Sequence, residues 1–375
     1  MKILIILLFT FVSFTCLGQV KDYVTYRKQK DCFAKADSLV SAKEYAKASA
    51  FYKKALKYGN LDDGRLMKAA RVFALNGQSN KAFCVLRKTR LSGALLCDIN
   101  PENCWGQDPS DSIDILKINE KKWAKLLDFL EKRRKIKVAQ LNYPLAIEFD
   151  KMLVEDQKYR YISITPEWNN LSKQQQDSLW VLQDEIDAKN RARLKQVTEQ
   201  YGWPNYSMVG GGNTEIILNH AVEDYSYYIP IIEREAQKKE IDWRTVELIK
   251  QYYYVGRAEL DEVHQIKVPF FKQTKPNLTQ EAEAELGLIG DFLRYVGKSL
   301  VVIEVVYHGT LPPEKADALS QQRMKSVQSF FEKHYVYDSR KIVFKYHTFI
   351  PGSSSDSFPS NDNSVYITRI KKTNP

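Results

Sequence analysis

An internal repeat of about 34 residues in the first third of the chain constrains its fold more than any other feature. A period of that length is typical of repeats built from a pair of antiparallel helices joined by a turn. The repeat therefore predicts two helical pairs in this region. Residues of similar character recur one period apart: Ala36 and Ala70, Leu39 and Phe73, Ala48 and Ala82, and Tyr52 and Leu86.

The second helix of the first repeat carries a regular spacing of tyrosine and alanine, at Tyr45, Ala48, Tyr52 and Ala55. This spacing resembles the tetratricopeptide repeat, in which small residues lie where two helices approach closely. The resemblance implies a surface for contacts with a protein partner. Because about three repeats are needed to bury a solenoid face, we expect a helix within residues 113–139 to cap the pair.

A basic run, Lys132-Arg133-Arg134-Lys135 followed by Lys137, ends this expected capping helix. Cations near the C-terminal end of a helix interact favourably with its dipole. We therefore interpret the run as a solvated helix end, with binding of an anionic polymer as the alternative.

Residues 1–18 are typical of a secretory signal, with Lys2 before an apolar run and the small residues Cys16 and Gly18 near a cleavage point. The apolar run is shorter than the ~20 residues of a spanning helix, which argues against a retained anchor. Lipidation at Cys16 is a further alternative. We expect secretion across the inner membrane to the periplasm or cell envelope, with no transmembrane span after signal removal and no nucleic-acid partner.

Four cysteines remain after the signal, and all lie in the N-terminal third: Cys32, Cys84, Cys97 and Cys104. An oxidising compartment permits disulfides, and four cysteines allow three pairings. Their spacing lacks the paired Cys-x-x-Cys of zinc sites, and no histidine lies nearby in the sequence. We therefore expect disulfides or buried free thiols here, and no metal or other cofactor.

Residues 140–265 predict an all-helical domain. Ser172 and Gln175 have the spacing of a capping box at the start of a long helix, and Gly202-Trp203-Pro204 predicts its end. The region resembles an uncharacterised bacterial family that often follows tetratricopeptide-like helices. The resemblance supplies an architecture and a set of candidate residues: Asp156, Gln157, Arg160, Asn190, Leu194, Gly202, Trp203, Pro204, His220, Arg257 and Gln265.

Three of these residues carry groups suited to chemistry. Asp156 and Arg160 lie one helical turn apart and can pair, while His220 could act as a general base oriented by a carboxylate. The motifs Gly-x-Ser-x-Gly and His-Glu-x-x-His are both absent. We interpret the cluster as one that fixes helix packing, with a ligand pocket or catalysis as alternatives. The candidate ligand-binding residues are Asp156, Gln157, Arg160, Asn190, Trp203, His220 and Arg257.

Near residue 266 the pattern changes from helices to alternating strands and helices. The predicted strands are 266–271, 299–308, 342–347 and 364–370, and the predicted helices are 278–296 and 318–333. This order predicts a small β-α-β-α-β sandwich with both helices on one face of the sheet. The fold class expected for the whole chain is α+β multidomain, with helical repeats, a helical middle domain and this α/β module.

The C-terminal order resembles the OmpA-like domain, whose members bind the peptidoglycan stem peptide. The matches are a Leu-Thr-x-Glu-Ala helix start at residues 278–282 and the pattern Leu319-Ser320-x-x-Arg323 with Val327. The resemblance implies that Arg323 holds a carboxylate of diaminopimelate with its planar fork. The family's helix asparagine is Ala316 here, and segment 308–310 lacks its aspartate. An internal role for Arg323, paired with a buried acid, is therefore the alternative.

Together these features predict a secreted, non-enzymatic scaffold or adaptor of the cell envelope. Its helical repeats would contact an envelope protein, and its last module would dock to peptidoglycan. The alternative is an envelope hydrolase or ligand-binding protein that uses Asp156, Arg160 and His220. The expected domains are a signal peptide at 1–18, repeats with a capping helix at 19–139, a helical domain at 140–265 and an OmpA-like domain at 266–375.

Overall fold

The computed structural model describes residues 22–59, 62–89, 119–256, 263–266, 270–271, 275–293, 299–335, 342–349 and 365–371. The described chain divides into two compact units. One contains the described residues up to Thr89 together with Asn119 and Glu120, and the other contains those from Lys121 onward. The chain is mainly helical, with a small mixed sheet near its C-terminus, as the α+β class predicts. Within the described part of the chain, no helix combines the length and apolar character needed to cross a bilayer.

The first unit consists of four helices: α1 (Tyr23–Ser41), α2 (Tyr45–Tyr58), α3 (Asp63–Leu75) and α4 (Ser79–Leu86). Helix α1 packs on α2, α2 on α3, and α3 on α4. The four repeat alanines are fully buried, which allows these helices to approach closely: Ala36, Ala48, Ala70 and Ala82. Kinship with tetratricopeptide repeats stays a prediction.

The second unit contains all but the first residue of α5 (Glu120–Val138). This helix forms where a capping helix for the repeats is expected, and its role as a cap stays a prediction. The helices that follow are α6 (Tyr143–Ser163), α7 (Lys173–Tyr201), α8 (Tyr206–Val209), α9 (Asn213–Asn219), α10 (Tyr225–Gln237) and α11 (Trp243–Gln251). Short 3₁₀ turns at Pro166–Asn170 and Val222–Asp224 and a π turn at Tyr252–Gly256 complete the block.

The predicted ends of the long helix α7 are confirmed. The side chain of Ser172 accepts a hydrogen bond from the Gln175 backbone, and the Gln175 side chain accepts one from the Ser172 backbone. This reciprocal box pairs backbone donors that a helix start would otherwise leave unpaired. Gly202 ends the helix with a φ of 83°, a left-handed conformation that favours glycine.

The C-terminal module is a four-stranded sheet in the order β1-β4-β2-β3. Its elements are β1 (Val263–Ile266), α12 (Gln280–Leu293), β2 (Ser299–His308), α13 (Pro313–His334), β3 (Ile342–Phe349) and β4 (Val365–Lys371). Strands β2 and β3 are parallel, and β4 pairs antiparallel with both β1 and β2. Helix α13 crosses between the parallel strands and packs on both.

The first strand differs from the prediction of 266–271, because it lies at Val263–Ile266. Phe270 and Phe271 are both buried, whereas the side chains of a strand alternate between the two faces of its sheet. The carbonyl of Phe270 instead accepts a hydrogen bond from the backbone of Thr279, at the start of α12. The apolar run that suggested a strand thus supplies core contacts, and β1 crosses the domain boundary expected between residues 265 and 266.

A buried ion pair joins the helical block to this module. Lys250 on α11 contacts Glu285 on α12, and its Nζ atom lies 2.8 Å from Oε1 of Glu233 on α10. Burial acts to lower the pKa of Lys250, but the two carboxylates outweigh that effect and raise it above its ordinary value. The charge on Lys250 is therefore retained in the core, where it ties three helices together.

Candidate functional site

The candidate site centres on Asp156, a fully buried carboxylate on the C-terminal half of α6. The Nδ1 atom of His220 lies 3.0 Å from Oδ2 and 3.1 Å from Oδ1 of this carboxylate. Because an ionised carboxylate can only accept hydrogen bonds, the hydrogen of this contact lies on Nδ1. In the neutral form of such a ring the other nitrogen, Nε2, is the proton acceptor. The His220 side chain is 25% exposed.

Arg160 links Asp156 to a second carboxylate. It lies one turn after Asp156 on α6, and its Nη1 is 3.1 Å from Oδ2 of Asp156. Its Nη2 pairs with Asp187, which α7 contributes from the facing side. The guanidinium therefore balances two negative charges that would otherwise repel each other across the helix pair.

Two glutamine amides complete the hydrogen bonding of these carboxylates. Nε2 of Gln157 donates to Oδ2 of Asp156 at 2.6 Å, and Nε2 of Gln183 donates to Oδ1 of Asp187 at 2.9 Å. Donors of this kind stabilise the charged form of a carboxylate. The site thus holds two carboxylates, one guanidinium and one imidazole in a single hydrogen-bonded cluster, which we call the Asp156 cluster.

Helical spacing explains why several polar residues of α7 face the Asp156 cluster on α6. Gln183, Asp187 and Asn190 follow one another at intervals of four and three residues, which places them on one face of α7. Asn190 is buried, and its Nδ2 donates to the carbonyl of Met152 on α6 at 3.4 Å. This bond fixes the register of the two helices one turn before Asp156.

The structure brings together four of the predicted residues, Asp156, Gln157, Arg160 and His220, with Asn190 adjacent. The predicted residue Trp203 is 3% exposed, and its ring packs against Tyr228 with ring centroids 5.9 Å apart, which is a core contact. Arg257 lies outside the described residues. Of Gln265, the structure describes the backbone pairing with Tyr366.

Sequence reasoning missed Asp187 and Gln183. Their positions on the same face of α7 as Asn190 are a readable signal, but one that points only to a shared face. Which residue of α6 that face meets depends on how the helices pack, and this is a tertiary property.

The Asp156 cluster also has the donor types of a divalent-cation site. One ligand atom from each of Asp156, Asp187 and His220 lies within 4.8 Å of the other two. However, Arg160 already places its positive charge between the two carboxylates. A cation would have to displace that guanidinium, so the residues fit a metal ion poorly.

Three buried side-chain oxygens near the cluster accept no hydrogen bond from any residue that the structure describes. They are Oε1 of Gln183, Oδ1 of Asn190 and Oδ1 of Asn219, the last adjacent in sequence to His220. Leaving a buried acceptor unpaired costs about 1–3 kcal/mol. Such buried acceptors are paired by an ordered water or by a ligand that presents hydrogen-bond donors.

The second predicted site residue, Arg323, is fully buried on α13. Its Nε donates to the carbonyl of Lys275 at 3.3 Å, and its guanidinium lies 4.6 Å from the ring centre of Phe271 and 5.3 Å from that of Tyr307. Burial lowers the pKa of Arg323 to about 10. Leu319, Val327 and Phe331, which are spaced at multiples of four on this helix, share this buried face. The placement favours an internal role for Arg323, and pairing with a buried acid stays a prediction.

Of the four cysteines that follow residues 1–18, the structure describes two. Cys32 is buried and Cys84 is exposed, and both are free thiols. Burial raises the pKa of the Cys32 thiol. The candidate disulfide positions Cys97 and Cys104 lie outside the described residues. At Cys32, the alternative of a buried free thiol is therefore the one observed.

Comparison with known proteins found no matching family model, no matching curated protein and no matching solved structure.

Proposed function

We propose that this chain is a ligand-binding adaptor of the cell envelope, in which the Asp156 cluster holds a small polar molecule. The supporting observation is the convergence of His220 and Arg160 on one buried carboxylate, with Asp187 contributed by a second helix. Sequence reasoning favoured helix packing for these residues. The partial exposure of the cluster and its unpaired acceptors favour the ligand instead.

The exposed fractions separate the two interpretations. Asp156 is completely buried, but the side chains of Arg160, Asp187 and His220 are 20%, 19% and 25% exposed. A ligand can therefore reach three of the four charged or titratable groups. Buried ionic clusters stabilise a fold weakly compared with apolar packing of the same volume. A role in helix packing alone therefore does not explain why charged residues, rather than apolar ones, occupy these positions.

The charges indicate the class of ligand. The two carboxylates of the cluster, Asp156 and Asp187, outnumber its one guanidinium. The unpaired oxygens of Gln183, Asn190 and Asn219 add acceptors and no donors. We therefore propose a ligand with several hydrogen-bond donors, such as an amine or an amino sugar.

A thermal-shift titration with glucosamine tests this proposal, because glucosamine carries both an amine and hydroxyl groups. We expect saturable stabilisation of the chain without residues 1–18, and loss of that stabilisation in Asp156→Asn. The matched control is Asp177→Asn, which changes an exposed carboxylate near the start of α7 that pairs with Lys173. Equal stabilisation of both variants, or none in the unmodified chain, would contradict the proposal.

A hydrolase is the second candidate, and the orientation of His220 favours it. An imidazole whose Nδ1 faces a buried carboxylate has its Nε2 free to take a proton from water. A nucleophile is not part of the cluster within the described residues, so the attacking group would be water. Hydrolysis of an amide or ester probe that disappears in His220→Gln and persists in the exposed-site control His334→Gln would support this candidate.

The scaffold role is proposed for the two other modules. The first unit buries its repeat alanines and presents helical faces suited to a protein partner. Docking of the last module to peptidoglycan is a weaker proposal, because Arg323 is fully buried. Co-sedimentation with purified sacculi, compared between the chain and Arg323→Ala, tests it: pelleting that depends on Arg323 supports docking, and no pelleting by either protein rejects it.

A further inference from the structure

Two tryptophan rings lie beside the Asp156 cluster, near the end of the helix pair that carries it. Trp180 precedes Gln183 by three residues on α7, so it continues the helix face that Gln183 occupies in the cluster. Trp168 belongs to the 3₁₀ turn Pro166–Asn170, which lies in the connection between α6 and α7. The two ring centroids are 5.7 Å apart, in a T-shaped contact. The rings therefore extend the side of α7 on which the cluster lies.

The two rings are held in place, and Trp180 remains accessible. The side-chain amide of Gln176 donates to the carbonyl of Trp168 at 3.0 Å, and this bond ties the 3₁₀ turn to the start of α7. Trp180 is nevertheless 41% exposed. Because one ring of a T-shaped pair contributes only its edge to the contact, that ring keeps both of its flat faces outside the contact. A flat indole face in a fixed position is a surface on which a ligand can stack.

Carboxylates lie close to both rings in the chain. Glu167 precedes one ring and Asp184 lies four residues after the other, one helical turn along α7, and both acids are exposed. Asp177, three residues before Trp180, is paired with Lys173 at 2.6 Å. Asp184 thus adds a negative charge on α7 between the rings and the cluster. These charges favour a ligand that carries amines over an anionic one.

The rings and the cluster are too far apart for one monosaccharide to contact both. Seven residues of α7 separate Trp180 from Asp187, which corresponds to about 10 Å along the helix axis. A single sugar ring beside Asp187 would not reach Trp180, whereas a chain of two or three rings would. The spacing therefore indicates a ligand that is longer than one ring.

We propose that Trp168 and Trp180 form an aromatic subsite that stacks on one ring of an amino-sugar chain, whose next rings reach the Asp156 cluster. This inference rests on the proposed function and extends its ligand from one amino sugar to a short chain. The C–H groups on one face of a sugar ring pack against an indole, while its hydroxyl and amine groups stay available for polar contacts. An anionic bilayer would bring phosphate charges onto Asp184, and an apolar peptide would offer no donors to the cluster.

Calorimetric titration of the chain without residues 1–18 tests the inference. The probes are glucosamine, a linear trimer of glucosamine, and maltotriose, which is a chain of the same length without amines. We expect the trimer to bind about tenfold more tightly than glucosamine, the upper end of what one aromatic contact contributes. Maltotriose should bind less tightly than the trimer. Trp180→Leu, which keeps apolar bulk but loses the flat ring, should remove the advantage of the trimer, and Trp180→Phe should recover part of it.

The matched control is Leu182→Ala, which truncates a side chain of similar exposure, 40%, on another face of α7. It should leave the affinities for glucosamine and for the trimer unchanged. A trimer that binds no more tightly than glucosamine, or that keeps its advantage in Trp180→Leu, would overturn the aromatic subsite. Glucosamine binding that depends on Asp156 would in that case leave the proposed function standing.

Two further outcomes would also contradict the inference. Maltotriose binding as tight as that of the trimer would overturn the amino-sugar class of ligand. Trimer binding that is lost in Trp180→Leu but unchanged in Asp156→Asn would show that the chain does not reach the cluster. That result would overturn the inference together with the proposed function, and so would the absence of binding by glucosamine and by the trimer.

Discussion

The Nδ1 atom of His220 lies 3.0 Å from the carboxylate of Asp156, although the two residues are 64 positions apart in the chain. Helix α6 supplies the carboxylate, and the end of α9 supplies the imidazole. The pair forms because α9 packs on α6, so the Asp156 cluster reports directly on the packing of the helical block.

Loss of the central guanidinium should destabilise the protein. Arg160→Met leaves Asp156 and Asp187 facing each other without the cation between them, at a cost of about 2–4 kcal/mol in the free energy of unfolding. Adding Asp156→Asn and Asp187→Asn should recover part of that loss, because no net charge then remains buried. Urea denaturation of the unmodified chain, of Arg160→Met and of the triple variant measures these differences. Lys132→Met, which breaks an exposed pair, is the control and should cost less than ~0.5 kcal/mol.

Breaking the ion pair between the helical block and the sheet module should uncouple their unfolding. Lys250→Met leaves the carboxylate of Glu285 buried beside Glu233 without a cation, and should cost about 3–5 kcal/mol. We expect the unfolding transitions of the helical block and of the sheet module to move apart in calorimetry of Lys250→Met, compared with the unmodified chain. A single transition with unchanged midpoint would show that Lys250 does not join the modules.

A glycine in α12 provides a packing test. A Cβ atom at Gly290 would lie 2.6 Å from ring carbons of Tyr335, whose hydroxyl donates to the carbonyl of Gly287 at 2.8 Å. Gly290→Ala should therefore destabilise by about 1–3 kcal/mol, although alanine normally favours a helix. Gly212→Ala is the control, since its Cβ would enter open space and its φ is −79°. Similar effects from both changes would contradict this packing.

The pair of Glu148 and Arg193 should give a small acid dependence of stability. The Arg193 fork, with contacts of 2.5 and 2.8 Å, lowers the pKa of Glu148 below its ordinary value of 4.5. The stabilisation is then fully present above that pH and is lost as the pH falls through the folded-state pKa. Because both side chains are about a third exposed, we expect Glu148→Gln to cost only ~0.5 kcal/mol near neutral pH and nothing near about pH 2. Equal costs at both pH values in urea titrations would contradict the assignment.

The two described thiols should differ in reactivity. Cys84 is exposed and should react with a thiol reagent in the folded protein, whereas buried Cys32 should react only after unfolding. Mass spectrometry of alkylated peptides, with and without denaturant, distinguishes the two sites. Fast labelling of Cys32 in the folded chain would show that its helix opens readily.

Much of the fold could be predicted from local pattern. The capping box at Ser172 and Gln175 and the buried face of Leu319, Val327 and Phe331 follow from spacing alone, because each depends on a single helix. The first strand was misplaced because the apolar pair at Phe270 and Phe271 has no period that separates a strand from a core contact.

The candidate site could be predicted only in part, for a related reason. Asp156 and Arg160 share a helix, so their pairing follows from a one-turn spacing. Asp187 joins them through the packing of α7 on α6, which no local pattern specifies. Arg323 and the rings of Phe271 and Tyr307 around it likewise come from three separate segments of the chain.

The most direct test of the Asp156 cluster as a ligand site is the imidazole NMR spectrum of His220 during titration with glucosamine. The chain has five histidines, so His220 can be assigned from the spectrum of His220→Gln. We expect the His220 resonances to shift saturably while those of the other histidines stay in place, and the shift to vanish in Asp156→Asn. An unmoved His220 at millimolar glucosamine, with the protein folded, would contradict the account.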